Sequence, residues 1–181
     1  MKRVFLLSIF VILISGCALL RETTSPTRAT EAFLGRYQSL DEQIMTQLDD
    51  VMAGENLTAQ QQEDYRTLMR RQYQNMTYEI KDEVIDGDNA VVTVEIEVYD
   101  FGTAQADADF YREENPGEFE DDEGAFSPER FMDYRIGRLT EAEDRTKYTM
   151  DLRLTKVEDE WIIEDLTEIE RQKIHGIYRN A

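Results

Sequence analysis

The 181-residue chain has one cysteine, Cys17, and one histidine, His175. A single thiol excludes any internal disulfide, so the fold must rest on its apolar core. A single imidazole excludes histidine-pair catalysis and multi-histidine metal sites within one chain. Positive charge is scarce too. Twenty Lys and Arg face 39 Asp and Glu, a formal net charge of −19. A field of that sign repels phosphate backbones and anionic headgroups, which argues against nucleic-acid binding; it would attract cations or a basic cell-envelope protein partner. The leading apolar run, Val4 to Ser15, reads "VFLLSIFVILIS". As a helix it is roughly 18 Å long, against about 30 Å of bilayer core, too short to cross.

Met1-Lys2-Arg3, this run and the small residues after it make a secretory signal. The run closes on Ile14-Ser15-Gly16-Cys17, which resembles the lipobox of bacterial lipoproteins. The resemblance implies signal-peptidase recognition of Ile14, Ser15 and Gly16, cleavage after Gly16, and diacylglyceryl on the Cys17 sulfur. Acylation of the new amino terminus, with palmitate-type chains, would follow. One acyl chain holds a protein only marginally, whereas several anchor it stably. Ala18 follows the cysteine, not the aspartate that resembles an inner-membrane retention signal. The expected address is therefore the cell envelope, facing outside the cytoplasm. That means the outer leaflet of the cell membrane, or the outer membrane in a host with two. Loss of Lys2 and Arg3 with the leader takes the net charge from −19 to −21. The expected parts are a signal peptide, 1–16, a lipidated tether, 17–25, and one domain, 26–181.

Within the domain, Ser25-Pro26 reads as an N-cap followed by a first-turn proline. Apolar residues then recur at helical spacing from Ala29 to about Met52, with Gly35 and Ser39 marking where the helix bends or splits, and Gly54 ending it. Thr58 and Gln61 form a capping box for a helix bearing Tyr65, Leu68, Met69, Tyr73 and Met76. The period then becomes two. Tyr78, Ile80 and Val84 are expected on one face of a first strand. Ala90, Val92, Val94, Ile96 and Val98 share a face of the second, with Asp86-Gly87-Asp88-Asn89 as the hairpin turn. Residues 102–144 interrupt the sheet with a short helix, the acidic loop "PGEFEDDEGAF" and a helix opening at Ser127-Pro128, stapled by Phe126 and Phe131. Tyr148, Met150, Leu152 and Leu154 mark a third strand, "WIIEDL" a fourth, and "TEIERQKIHGIY" a closing helix.

Helices followed by a four-stranded antiparallel meander resemble the NTF2-like, cystatin-related fold, most closely over "MTYEIKDEVIDGDNAVVTVEIEVYDF" and "LRLTKVEDEWIIEDL". The expected class is α+β, with N-terminal helices packed on a curved four-stranded sheet. A helical, acidic insert lies between strands 2 and 3, and a helix closes the chain. The resemblance implies a cone enclosing a pocket, and the long insert sets this chain apart from the usual connection.

His175, just before Gly176, reads as a C-terminal helix residue favoured by the helix dipole. Some enzymes of this fold pair an aspartate base with a tyrosine donor. The nearest candidates here are Asp82 and Tyr78, four apart on one strand, with Tyr37 from the first helix. Asp82 lies near the turn and reads as solvated. The acidic loop fails the EF-hand spacing, because Phe119 and Arg130 fall at the first and last ligand positions. Loose calcium binding through Glu118, Glu120, Asp121, Asp122 and Glu123 is the alternative to a solvated loop. No catalytic, cofactor or metal residue is assigned. The expected function is a non-catalytic binding or accessory domain on a lipid anchor. A pocket enzyme and a weakly cation-dependent surface protein are the alternatives.

Overall fold

The computed structural model describes residues 25–179. The expected signal peptide, with Ile14, Ser15 and Gly16, and the expected lipidation site Cys17 lie outside the described residues. The Ser25 hydroxyl accepts from Arg28 N and Pro26 opens α1, Pro26–Gln38. The long helix splits at Ser39, the C-cap of α1, and Leu40, and not at Gly35. Leu40 has φ 56°, and Asp41 re-caps the chain for α2, Glu42–Ala53, by accepting from Gln43 N. The Arg36 guanidinium locks this joint, 2.9 Å from Asp41. The Thr58/Gln61 capping box is present at the start of α3, Ala59–Asn75.

Four strands follow in sequence order in one open antiparallel sheet: β1, Thr77–Asp86; β2, Asn89–Tyr99; β3, Arg145–Val157; and β4, Glu160–Ile163. Between β2 and β3 run α4, Phe101–Glu114, a 3-10 turn, and α5, Pro128–Glu141; α6, Glu168–His175, comes last. The class is α+β, as expected, with helices on a curved four-stranded sheet. Ala90, Val92, Val94, Ile96 and Val98 are all buried, opposite Met150, Leu152 and Leu154 of β3. Leu34, Tyr37, Leu68, Met69, Tyr73, Met76 and Ile174 from the helices fill this face.

One strand departs from its alternation. The β1–β2 register runs Ile80↔Val94 and then Asp82↔Thr93, so Lys81 is an extra residue in a β-bulge. A one-residue shift sends every later side chain to the other face. Val84 was expected beside Tyr78 and Ile80; it is turned outward and is 59% exposed. Glu83 takes the inner side instead. Its carboxylate accepts from the N–H and hydroxyl of Thr27 at 2.8 and 2.7 Å, which suits a negative charge at the first turn of α1.

The insert carries its own small core. Phe119 and Phe131 are buried, with ring centroids 5.3 Å apart, and Tyr111 and Tyr134 stack at 5.0 Å beside them. The staple is present, with Phe126 at 6.1 Å from Phe131. At the other end, Gln72 is fully buried in α3. Its side chain donates to Tyr99 O and His175 O and accepts from Tyr99 N, tying α6 to the end of β2. Gly176, at φ +73°, passes so close that a Cβ there would lie 2.2 Å from Gln72 Nε2 and from Tyr99 O.

Candidate functional site: an apolar groove at the open edge of the sheet

The expected acid–base constellation does not assemble. The bulge at Lys81 puts Asp82 on the outer face, in the row of Thr93 and Asp151, while Tyr78 pairs with Ile96 in the inner row. Four residues apart on a strand means one face only where no bulge intervenes. Asp82 is exposed, as the sequence suggested, and its carboxylate accepts from Glu83 N. Tyr37 is buried edge-on between Phe33, at 5.5 Å, and Tyr73, at 5.1 Å. Burial pushes both the Tyr37 and Tyr73 phenols up, so neither ionises near neutrality.

His175 is the last residue of α6, as expected, but its charge state differs from that reading. The ring packs 5.9 Å from Tyr73, and burial pushes its pKa down to about 4. The imidazole is neutral at pH 7, and the dipole gains no cation from it.

The acidic stretch is a closed turn. Asp121 accepts from Glu123 N and Ala125 N at 2.9 Å each, which holds its carboxyl below the usual range. Gly124, at φ +80°, and a bridge between Glu120 and Phe126 complete it. Asp122 faces Arg130 at 3.3 Å. Among the described residues, no group of three or more His, Cys, Asp or Glu is placed to hold a metal ion.

Space opens elsewhere. The resemblance implied a pocket inside the cone, yet fully buried side chains such as Leu34, Met69, Tyr73 and Met76 occupy that concave face. A groove of about 870 Å³ lies beside it, where α1 and α2 overhang β4. From α1 it takes Arg28, Ala29, Ala32, Phe33, Arg36 and Tyr37; from α2, Ile44, Gln47, Asp50 and Val51. The far wall is the run Glu160 to Leu166, with Arg171 of α6 below it. The inward residues Trp161 and Ile163, like Ala29, pack against Ala90, Val92 and Leu154. Arg171 bonds Glu168 at 3.1 Å and Leu166 O at 2.5 Å, fixing α6 to the exit of β4.

This lining suits binding. It offers aromatic and aliphatic surface with fixed polar groups around it, and no Cys, His or Ser/Thr nucleophile lines it. Of these residues the sequence singles out Tyr37 alone, and as a proton donor rather than as part of a groove. The one local sign was Trp161, the only tryptophan, set among acidic residues in "EDEWIIED".

No described helix is long and apolar enough to cross a membrane. Comparison with protein-family models, with curated proteins and with solved structures gives no match.

Proposed function

We propose that the protein is a lipid-anchored extracytoplasmic lipoprotein whose NTF2-like domain is a non-catalytic binding module, holding a segment of a cell-envelope protein in the groove between α1, α2 and β4. The observation that carries this reading is the groove itself: Phe33, Tyr37, Ile44, Trp161 and Ile163 give it apolar walls, and no Cys, His, Ser or Thr lines it. Helices followed by a four-stranded meander support the NTF2-like assignment. The lipobox supports the anchor. From Cys17 to Ser25 the tether reaches at most about 28 Å when fully extended, so α1 starts within that distance of the acylated residue. The groove opens on the first turns of α1, close to where the tether joins.

The test has two arms. Labelled palmitate should appear on the native chain and not on Cys17→Ser, and the variant should leave the membrane fraction. A stoichiometric partner should co-purify with the native chain and be lost from Ala32→Trp, which fills the groove from an exposed position. A Cys17→Ser chain that stays membrane-bound refutes the anchor. A partner retained by Ala32→Trp refutes the groove.

A further inference from the structure

We infer that the chain's own tether occupies the groove, with Leu19 and Leu20 against its apolar wall, so that a partner segment enters by displacing them; this rests on the binding reading above and specifies how the site is regulated. Residues 18–24 lie outside the described residues, and the description begins at Ser25, the N-cap of α1. The groove opens directly after it, lined on α1 from Arg28 to Tyr37. Ala32 and Phe33 lie roughly 10 to 12 Å along the helix from Ser25. The five residues from Leu20 to Ser25 reach at most about 17 Å. A tether turned back along α1 therefore brings Leu20 to Ala32 and Phe33 with length left for the turn.

Composition matches the two surfaces. Linkers that only space two parts are built from Gly, Ser, Pro or charged residues, whereas Ala18 to Ser25 reads "ALLRETTS", with two adjacent leucines. The groove in turn leaves large apolar side chains uncovered. Val51 is 62% exposed and Ile162 51%, and Phe33 and Trp161 are half-buried beside them. Seating the leucine pair there removes apolar surface from water on both sides. A segment joined by so few residues is present at roughly millimolar effective concentration, against which a partner must compete.

The rim carries both signs. Arg28, Arg36 and Arg171 stand against Asp50, Glu160, Glu164 and Asp165. Glu164 also pairs with Arg153 at 3.5 Å, and Lys156 pairs with Asp159 at 3.3 Å at the turn into β4. Arg28 and Trp161 are themselves engaged. Such a rim suits a segment with one charge of each sign, and the tether has Arg21 and Glu22 directly after its leucines.

The experiment uses the full lipidated chain in vesicles of phosphatidylethanolamine and phosphatidylglycerol, with the Cys17 sulfur alkylated so that only introduced thiols react. Disulfide yield under mild oxidation is compared in Leu20→Cys/Ala32→Cys and Leu20→Cys/Glu31→Cys. Ala32 and Glu31 are neighbours on α1 and both exposed, but only Ala32 lines the groove. The Ala32 pair should give at least fivefold more disulfide, and adding Leu19→Ser should bring the two yields together. Equal yields at the outset would overturn the seated tether. So would no disulfide in either pair, with the leucines taken up by the bilayer. In the co-purification assay, Leu19→Ser/Leu20→Ser should raise the partner's yield at least threefold, and an unchanged yield would overturn the competition. The two readings fail separately. Equal disulfide yields with the partner lost from Ala32→Trp would leave the binding groove standing without the tether. A dominant Ala32 disulfide with the partner retained by Ala32→Trp would leave the tether seated and overturn its regulatory role together with the binding reading.

Discussion

His175 and Gln72 hold the same corner of the molecule by opposite means, one by staying neutral and the other by satisfying three backbone groups. The pKa of His175 falls from 6.5 to about 4 on folding. Between those values the unfolded chain binds the extra proton, so stability is full above about pH 6.5 and is lost as pH falls toward 4. Urea melts at pH 7.5 and 4.5 should show the native chain losing about 2 kcal/mol more than His175→Asn across that interval. Equal losses would mean that the ring is solvated. Gln72→Leu keeps the shape but strands Tyr99 N, Tyr99 O and His175 O. It should cost about 3 kcal/mol in the same assay, whereas a loss under about 1 kcal/mol would show that water replaces the amide. Neither role was legible in the sequence. A glutamine within an amphipathic helix reads as surface, and a histidine before a glycine reads as a solvated helix end.

At the scale of the element, local chemistry was readable and long-range register was not. The capping box at Thr58/Gln61 formed, and β2 buries the face that its alternation marked. These signals need only neighbours a few residues apart. "TYEIKDEVI" has the same clean alternation, yet one unpaired residue inverts its second half. What fixes the inversion is Thr27, 56 residues away from Glu83. Because the pairs on both sides of Lys81 are already in register, deleting Lys81 should change stability by no more than about 1 kcal/mol. Deleting Thr93 from β2 should unfold the domain, since β2 pairs in unbroken register with β3 and the apolar residues on one side of the deletion would turn outward. Circular dichroism and urea melts of the two deletions check this, and similar losses in both would contradict the bulge. The groove was hidden for a similar reason, since Phe33 and Trp161 meet only through packing of α1 on β4.

At the scale of the whole molecule, the −19 charge sets the solution behaviour. Self-repulsion destabilises a compact chain of one sign, and salt screens it. The melting temperature should therefore rise between 20 and 500 mM NaCl, and calcium chloride at matched ionic strength should add nothing further. An extra rise with calcium would reinstate a cation site in the acidic insert, whose Asp121 is held by backbone N–H groups. The same charge favours a basic partner, which the proposed lipid anchor would meet at a membrane surface.

The most direct measurement is photo-crosslinking in intact cells, with the reactive side chain at Ala32 in the groove or at Asp122 in the acidic insert. The expected result is one dominant adduct from Ala32, joined through a segment of an envelope protein, and none of comparable yield from Asp122. Adducts confined to Asp122, or an unselective smear from both positions, would contradict a binding role for the groove.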